Sequence, residues 1–597
     1  MQIIKKENSE IIISGDKYTI NFDLIEFKYT VFANNNKVYK ASIASSIDSL
    51  KKEERINSIT LLTINHKEKI EIIFQSNSNT WDEKKYIFLC SHNFIEYYCT
   101  IKGQNKKIDY IHYFLNRNDS TKGATGFFSK YYSPRFDWNK GIIHNSPEKS
   151  DSLSCQQWLS PPPFCFALCV NGQWIGCGIA ANPGENNFMS FDYNGGDCFY
   201  LSLTFEGHTK VKGQFESPRL VLSFTNEKEN GAIQNYINFL KKNEYVTINN
   251  KTIPDWWKKP IFCGWGQQRY DYRKDHDYHE NQNWVNAGDY SSETFYRKYL
   301  SILESEGINP GTVIIDCFWS KKVALAKPHP LRWTNMRQFI NEQHEKGRKV
   351  LLWYSPVIAE GLPKKACLTL ENHIIAADPS SKVYKKILKE QINIMLSDGP
   401  DCLNADGFKI DFTQNIPSER GVFRNILVDK WAIISEDIKK CYEHIDNRNT
   451  LIKSTKPIWG LELVKAYIEN IYFYMKEIKE DSVLITHTAN PYLANIVDIL
   501  RLNDLADTSE DVLEIMSNRA TIAKMCNPHW LIDTDNDLMI DKKMWRNYIQ
   551  YQPKLGIPDT YYATGIALSN EKFDKKDYEI LKKVWDEYNL DLQKEKN

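Results

Sequence analysis

The sequence predicts two domains, a large antiparallel β-sandwich followed by a (β/α)8 barrel. The first observation is that residues 1 to about 224 contain short runs of alternating or β-branched and aromatic residues, separated by clusters of Asn, Gly, Asp and Lys. The second is that short apolar strands alternate with amphipathic helical stretches beyond about residue 256, which is typical of a parallel sheet closed by crossover helices. A chain of 597 residues fits this division, since a barrel of about 250 residues counts as one domain.

The predicted sandwich strands share a period of two or a high content of β-branched and aromatic residues. Clear examples are Glu10–Ser14, Tyr86–Cys90, Phe94–Cys99 and Leu220–Phe224. They are followed by a helical stretch, Ala232–Lys242, and then by a segment with Pro and Trp, Thr252–Pro260. We therefore predict domains at residues 1–256, the sandwich with its helical linker, and 257–597, the barrel.

Eight short apolar segments qualify as the barrel strands. They are Ile261–Trp265, Thr312–Asp316, Lys349–Tyr354, Gly407–Asp411, Val483–His487, Ile499–Arg501, Trp530–Asp533 and Tyr561–Gly565. Helical periodicity separates most of them, for instance over Met336–Lys346 and Leu463–Lys479. Because the active site of such a barrel lies at the carboxyl ends of its strands, polar residues at these ends are the functional candidates.

Charged side chains recur where these strands stop. Asp316 ends the second strand, Asp411 ends the fourth, and Arg501 and Asp504 follow the apolar run of the sixth. Lys409 lies two residues before Asp411, so both side chains point to one face of the strand. Taken singly, each of these residues is equally compatible with a strand cap or a surface ion pair. Their recurrence at three strand ends favours one pocket that holds carboxylates and cations together.

Four segments, in the same order along the chain, resemble one family of enzymes. Residues 406–412, Asp-Gly-Phe-Lys-Ile-Asp-Phe, resemble the strand-four nucleophile motif of the retaining α-galactosidases of glycoside hydrolase family 36, which shares a clan with family 27 and is related to family 31. Residues 347–356 resemble its strand three, 487–504 its passage from strand five to six, and 529–537 its strand seven. The resemblance spans residues 258–570, and the N-terminal β-supersandwich of the family agrees with the all-β first half.

The resemblance assigns roles to the charged residues. It implies that Asp411 is the nucleophile, that Asp504 is the general acid/base, and that Lys409, Arg501 and Asp316 contact the sugar. Retaining chemistry needs this division, because one carboxylate must be ionised to attack the anomeric carbon while the other holds a proton for the leaving oxygen. The Lys409 ammonium favours the charged form of Asp411, and a second carboxyl near that negative charge has its pKa raised.

The sequence departs from the family pattern at two places. The family has paired aspartates at the end of strand two, whereas here Cys317 follows Asp316. The resemblance therefore does not extend to galactose specificity. The acid/base of the family stands four residues after the arginine, but Asp504 stands three after Arg501, so Asp507 competes with the preferred Asp504.

Aromatic and further polar residues at the strand ends have two interpretations each. Trp265 and Trp353 follow strands one and three, where an indole can stack on a sugar ring or simply pack the barrel top, and Trp353 is the preferred sugar contact. His487, after strand five, can reach a sugar hydroxyl or serve as a structural histidine. We interpret Asp533 and Asp535 as structural.

Composition excludes several classes of function. Lys plus Arg and Asp plus Glu both number 76, so no net charge attracts nucleic acid, and no run of about 18 apolar residues predicts a membrane span. Thirteen cysteines without CxxC pairs favour a reducing cytoplasm. No HExxH or paired Cys/His spacing is present, so we expect neither a metal nor another cofactor.

These observations predict a retaining, exo-acting α-glycosidase that cleaves or transfers a terminal sugar of an oligosaccharide or other glycoside through a covalent bond to Asp411. One alternative is a Schiff-base lyase in which Lys409 is the nucleophilic amine. A second alternative is a non-catalytic sugar-binding relative, which the presence of both Asp411 and Asp504 argues against. The sugar, the choice between hydrolysis and transfer, and the oligomeric state are open at this point.

Overall fold

The computed structural model describes residues 2–595, with the exception of 8, 51, 138–139, 158–160, 226, 277–283, 371–372, 419–457, 503 and 506–510. The first part of the chain consists of antiparallel strands. They are β1 (Gln2–Glu7), β2 (Glu10–Ser14), β3 (Tyr18–Asp23), β4 (Lys28–Ala33), β5 (Asn36–Ser42), β6 (Ser46–Ser49), β7 (Ile56–His66), β8 (Ile70–Ser78), β9 (Glu83–Cys90), β10 (Phe94–Tyr113), β11 (Thr125–Gly126), β12 (Lys130–Tyr132), β13 (His144–Asn145), β14 (Asp151–Ser154), β15 (Cys165–Val170), β16 (Gln173–Ala180), β17 (Ser190–Asn194), β18 (Tyr200–Glu216) and β19 (Arg219–Phe224).

These strands form two antiparallel sheets that pack face to face. Strands β1 to β5, with β11 at the edge, make one sheet, and the long strands β10 and β18 pair within the other. Burial alternates along β2, β3 and β4, as the period-two pattern predicted. The rings of Phe22 and Tyr29 each lie 5.0 Å from the ring of Phe88 on the second sheet, edge to face. Aromatic side chains thus fill the space between the two sheets.

A helix joins the sandwich to the second part of the chain. Helix α1 (Glu229–Lys242) packs on β15, β16 and β19 through buried residues that include Ala232 and Tyr236. Two glycines of β16 make this contact possible, because a Cβ on Gly176 would lie 2.8 Å from the Ala232 carbonyl and one on Gly178 would lie 2.4 Å from the Tyr236 ring. The predicted helical stretch is therefore confirmed, and it begins three residues earlier than expected.

The second part of the chain alternates strands and helices. Its strands are β20 (Ile261–Cys263), β21 (Thr312–Ile315), β22 (Ser320–Lys322), β23 (Leu325–Pro328), β24 (Lys349–Tyr354), β25 (Cys367–Leu370), β26 (His373–Ala377), β27 (Gly407–Ile410), β28 (Val483–Thr486), β29 (Ile499–Arg501), β30 (Leu531–Asp533), β31 (Asp559–Thr560), β32 (Gly565–Ile566) and β33 (Glu571–Lys572). Its α-helices are α2 (Trp265–Asp275), α3 (Glu293–Ser305), α4 (Met336–Glu345), α5 (Lys382–Leu396), α6 (Gly460–Ile478), α7 (Val512–Cys526), α8 (Lys542–Leu555) and α9 (Lys575–Lys594), and short 3-10 helices cover Asp255–Lys258, Trp284–Tyr290, Lys364–Ala366 and Pro491–Ile496.

Within the described residues, eight parallel strands form the barrel in the order β20, β21, β24, β27, β28, β29, β30, with β31 beside β20. A single bridge between Asp533 and Ile557 spans the remaining gap between β30 and β31. The prediction of a β-rich first half followed by a parallel eight-stranded barrel is confirmed. No helix among the described residues combines the length and the apolar character that crossing a bilayer requires.

Two predicted barrel strands, the first and the eighth, were misplaced by two residues or more, and four others differ by one residue at one end. The first strand stops at Cys263, because Gly264 already has helical backbone angles and α2 begins at Trp265. The eighth strand is Asp559–Thr560 rather than Tyr561–Gly565. The prediction missed it because a strand that begins with a buried aspartate lacks the apolar pattern. Both errors shift residues at the barrel mouth and leave the order of the strands unchanged.

Candidate active site

Asp411 is the first residue after β27, at the carboxyl end of the fourth barrel strand. Its backbone N–H donates to the Tyr354 carbonyl at 3.1 Å, which extends the pairing with β24. The next residue, Phe412, has a φ of 58°, and its N–H donates to Asp411 Oδ1 at 2.9 Å. A bulky residue in this left-handed conformation stores about 1–3 kcal/mol of strain, and such strain is concentrated at functional sites. The turn therefore holds the Asp411 carboxylate by its own backbone.

The strand that carries Asp411 begins at a position that only glycine can occupy. Gly407, at the start of β27, has a φ of 150°, and a Cβ there would lie only 2.0 Å from the carbonyl oxygen of Val483 on β28. Any side chain would force the two strands apart. A glycine at this position is thus part of what places Asp411 next to the residues that follow β28 and β29.

Arg501, the last residue of β29, joins three carboxyl groups. Its Nη2 donates to Asp411 Oδ1 at 3.1 Å, and its Nη1 donates to Asp504 Oδ1 at 2.9 Å and to Asp535 Oδ2 at 2.7 Å. The guanidinium side chain is 1% exposed, so these contacts are weakly screened. One cation cannot neutralise three carboxylates, of which Asp535 is buried and the other two are half-buried, and this imbalance favours a proton on one of them.

Asp411 is held in its ionised form. Burial alone would raise the pKa of this carboxyl, but the Arg501 charge and a hydrogen bond with His487 outweigh it and lower the pKa far below the ordinary value. The His487 Nε2 lies 3.3 Å from Asp411 Oδ1. The predicted nucleophile therefore has the charge state that attack requires, and its assigned role stays a prediction.

Asp504 is held in its protonated form up to neutral pH. Burial and the negative charges of Asp535, Asp537 and Asp411 raise its pKa to about 7 against the opposing effect of Arg501. Its side chain is 19% exposed, which leaves it accessible to a ligand. Arg501 thus bonds one ionised and one protonated carboxyl at the same time. The competing candidate, Asp507, lies outside the described residues.

Lys409 and Asp316 form a buried ion pair beside Asp411. The Lys409 ammonium lies 2.7 Å from Asp316 Oδ2, and the two side chains are only 2% and 3% exposed. Burial opposes the charge on Lys409, but Asp316 outweighs it and raises the lysine pKa well above the ordinary value. Cys263 adds a thiol contact to Asp316 Oδ2 at 3.2 Å. These residues form the floor of the site, and their direct contact with a sugar stays a prediction.

Cys317 stands where the resembled family has its second aspartate. Its backbone N–H donates to Asp316 Oδ1 at 2.8 Å, while its side chain packs with Val323, Trp353 and Phe412. The replacement therefore removes a charge from this side of the site and puts an apolar cluster in its place.

The two predicted sugar-stacking tryptophans differ in their surroundings. Trp353 is buried, and its Nε1 donates to Asp411 Oδ2 at 3.2 Å, so it meets the carboxylate with the edge of the ring. Trp319 fixes it from behind with a hydrogen bond from its Nε1 to the Trp353 carbonyl at 2.8 Å. Trp265 is half-buried at the start of α2, with the Phe318 ring 6.3 Å away. Stacking on a sugar stays a prediction for both, and Trp265 has the more accessible ring.

A second layer of buried carboxyl groups lies behind Arg501. Asp533 ends β30, Asp535 and Asp537 follow it at every second residue, and Asp559 begins β31; all four are buried. Sequence reasoning treated the first two as structural and passed over the others. The two-residue spacing is visible in the sequence, but the strand ends at Asp533, so the strand period does not show where the side chains of Asp535 and Asp537 point. Among the described residues, no group of three or more His, Cys, Asp or Glu side chains has the arrangement of a metal site.

Comparisons with known proteins add a fold relationship. No protein-family model matches the chain, and no curated protein matches it by sequence. Among solved structures, a family 31 glycoside hydrolase sulfoquinovosidase from E. rectale is 12% identical, with a TM-score of 0.55 over 97% of this chain and 83% of that one. A family 31 dextranase from Flavobacterium johnsoniae is 13% identical, with a TM-score of 0.50 over 97% of this chain and 67% of that one. The cycloalternan-forming enzyme from Listeria monocytogenes is 10% identical, with a TM-score of 0.53 over 97% of this chain and 58% of that one.

These matches show that the chain has the fold of family 31 glycosidases over nearly its whole length. They do not support the predicted resemblance to family 36 in particular. At identities of 10–13%, the comparison concerns the fold alone.

Proposed function

We propose that the protein is a retaining, exo-acting α-glycosidase in which Asp411 is the nucleophile and Asp504 the general acid/base. The observation that carries the proposal is the opposite protonation of two carboxyl groups on one guanidinium. Asp411 is ionised, Asp504 has a pKa of about 7, and Arg501 donates to both. Two carboxyl groups with separated pKa values are what glycoside cleavage with retention uses.

The first step forms a covalent intermediate. The glycosidic oxygen takes the proton of Asp504 while an oxygen of Asp411 attacks the anomeric carbon, and the bond to the leaving group breaks. Asp411 Oδ1 already accepts from the Phe412 N–H and from Arg501, whereas Trp353 donates to Oδ2. Oδ2 is therefore the oxygen with room to attack.

The second step releases the sugar. Asp504, now a carboxylate, takes a proton from water or from an acceptor hydroxyl, whose oxygen attacks the anomeric carbon as the bond to Asp411 breaks. The product keeps the configuration of the substrate. Hydrolysis and transfer share this intermediate, and water access to it decides between them.

The lyase alternative has less support. A Schiff-base lysine must be a neutral, accessible amine, but Lys409 is almost fully buried and its ammonium is held by Asp316 at 2.7 Å. Asp316 also raises the lysine pKa, which favours the unreactive form. The non-catalytic alternative does not explain why the pKa of Asp411 is lowered while that of Asp504 is raised.

We propose an α-linked oligosaccharide or related glycoside as the substrate. The fold neighbours support this class by their names: one is a dextranase bound to glucose, and another is a cycloalternan-forming enzyme bound to a pentasaccharide. A specific preference for galactose is not proposed, because the family aspartate that would hold its hydroxyl is Cys317 here.

A covalent trap tests the proposal. Incubation with 5-fluoro-α-glycosyl fluorides should add one glycosyl unit to the protein, and peptide mass spectrometry should find it on Asp411. The matched control, Asp411→Asn, should stay unlabelled. Label on another carboxyl would refute the assignment, and a lysine adduct at Lys409 after borohydride reduction with substrate would establish the lyase instead.

A further inference from the structure

Asp535 makes the shortest of the three carboxyl contacts of Arg501. Its Oδ2 accepts from Arg501 Nη1 at 2.7 Å, against 2.9 Å and 3.1 Å for the contacts of Arg501 with Asp504 and Asp411. The Asp535 side chain has no exposed surface, and its Oδ1 accepts from the Asp537 N–H at 2.9 Å. It cannot touch a substrate directly, yet it holds the group that contacts both predicted catalytic carboxyls.

The backbone around Asp535 is built to keep it there. Asp535 itself has a φ of 43°, which is left-handed and disfavoured for a residue with a side chain. Its neighbour Thr534 fixes the turn, because its Oγ1 donates to the Ile557 carbonyl at 2.7 Å and its carbonyl accepts from the Tyr548 hydroxyl. Strain of this kind persists only where the surrounding structure enforces it.

Two further carboxyl groups of this layer, Asp533 and Asp559, share a proton, so the pair carries one negative charge rather than two. Asp533 and Asp559 are hydrogen-bonded to each other, which requires one proton between them, and burial raises the pKa of both. Asp537 has its own cation, since Arg269 Nη1 lies 3.2 Å away. In this layer, Asp535 is therefore the carboxylate whose charge faces Arg501.

We infer that Asp535 is a positioning residue that locks Arg501 between Asp411 and Asp504 and offsets part of the Arg501 charge that acts on Asp504. The inference rests on the proposed function for its catalytic meaning. The charged groups that face Asp504 are Arg501 on its own strand end, Asp535 and Asp537 after β30, and Asp411 after β27. Arg519 on α7 donates to the Asp504 carbonyl at 3.0 Å.

Removal of the Asp535 charge should act in a defined direction. Without it, the full charge of Arg501 acts on Asp504, stabilises the carboxylate and lowers the Asp504 pKa. The acid would then lose its proton at lower pH, and Arg501 would lose the partner that fixes its plane. Both effects weaken protonation of the leaving oxygen.

The experiment is the Asp535→Asn variant, which keeps the shape of the side chain. We expect the basic limb of kcat/KM to move down by about one pH unit and kcat/KM at pH 7 on an unactivated glycoside to fall about 10- to 100-fold. A titration of carbon-13-labelled aspartate carboxyls by NMR, assigned with Asp504→Asn, should show the same lower pKa for Asp504. This second readout does not depend on glycosidase activity, so an inactive wild type would refute the proposed function and leave the positioning role testable.

Asp559→Asn is the matched control, because it alters a buried carboxyl of the same layer that has no contact with Arg501. It should leave both the basic limb and the Asp504 titration where they are in the wild type. If Asp535→Asn fails to fold, Asp535→Glu decides: it keeps the charge, so the limb should stay while kcat/KM falls as Arg501 shifts. An unchanged Asp504 pKa in folded Asp535→Asn, or wild-type kcat/KM in Asp535→Glu, would overturn the inference.

Discussion

The two ends of the barrel differ in how many basic groups surround their carboxyl groups. At the amino end, Asp406 is 1% exposed and lies 2.7 Å from His344 Nε2, 3.1 Å from Lys349 and 3.4 Å from Lys479. At the carboxyl end, one guanidinium serves three carboxyl groups. At the amino end, which we call the base, three basic groups surround one carboxylate. At the carboxyl end, which we call the mouth, one basic group contacts three carboxyl groups.

This difference in local balance decides the protonation of each end. At the base, burial is outweighed by His344 and the two lysines, and the pKa of Asp406 falls to about 2. At the mouth, the pKa of Asp504 rises to about 7. The base therefore stabilises the barrel with fixed charges, while the mouth keeps a proton that can be transferred.

The largest expected effect comes from removal of Asp411, the carboxyl group at the mouth that is ionised throughout the working pH range. Asp411→Ala should lower kcat by about 10⁴-fold or more, because no other group forms the covalent intermediate. Its melting temperature should stay close to that of the wild type, since the side chain is partly exposed and part of no packing core. Residual kcat above a few per cent of the wild type would mean that Asp411 is not the nucleophile.

The second effect concerns the proton at the mouth. Asp504→Ala should lower kcat/KM about 10²- to 10⁴-fold on glycosides with poor leaving groups and far less on activated aryl glycosides, whose leaving group needs little protonation. Azide should rescue the variant and give a glycosyl azide of retained configuration, since this anion needs no general base.

Asp507→Ala is the comparison for that experiment, because the shortened spacing after Arg501 makes Asp507 the competing acid/base. It should show neither the leaving-group dependence nor the rescue. Azide rescue of Asp507→Ala alone would transfer the role to Asp507, and rescue of neither variant would count against a retaining mechanism.

The third effect, that of Asp406→Asn, should lower the free energy of unfolding and leave kcat unchanged. Asp406→Asn should lower the free energy of unfolding at pH 7 by about 2 kcal/mol, which is the value of a pKa near 2 against the ordinary 3.8. Because this pKa is lowered on folding, the stabilisation is present above about pH 4 and disappears as pH falls towards 2. Denaturant unfolding of both proteins across that range measures it.

Glu390→Gln is the control for the loss of one negative charge. Glu390 is exposed on α5, 4.0 Å from Lys386, and its removal should change stability by less than about 0.5 kcal/mol. The kcat of Asp406→Asn should match the wild type. A large loss of kcat in a stable Asp406→Asn variant would contradict the division of labour between the two ends.

Sequence reasoning predicted the parts of this barrel that depend on local pattern. Apolar runs that end in a charged residue identified β21, β27 and β29, together with Asp411 and Arg501, and an apolar run without such an end identified β24. It was wrong at Trp265, which starts a helix, and at the eighth strand, where a buried Asp559 breaks the apolar pattern. Strand ends can be predicted where a run of apolar residues stops. A buried charged residue near an active site interrupts such a run, and the strand is then missed.

The second layer of the site was beyond prediction for a different reason. The two-residue spacing of Asp533, Asp535 and Asp537 does not show which of them meets Arg501, because the strand ends at Asp533. That depends on the turn at Asp535 and on the partner Arg269, which comes from the other end of the barrel sequence. Long-range pairing of buried charges has no local signature in one sequence.

The smallest expected effect is the pH dependence of the wild type, and it compares the two ends in one protein. Asp504 must be protonated to act, so kcat/KM should fall about tenfold per pH unit above its pKa near 7. Asp411 has a pKa far below the ordinary value, so its protonation should not limit activity at mildly acidic pH. Loss of activity as pH falls from about 4 towards 2 should instead follow unfolding, as Asp406 is protonated and its ion pairs are lost.

Parallel measurement of kcat/KM and of circular dichroism from pH 2 to 9 tests both the acidic and the basic limb. Activity lost with an intact spectrum at pH 4 would mean that Asp411 titrates there, and a flat profile through pH 8 would mean that Asp504 is not the acid.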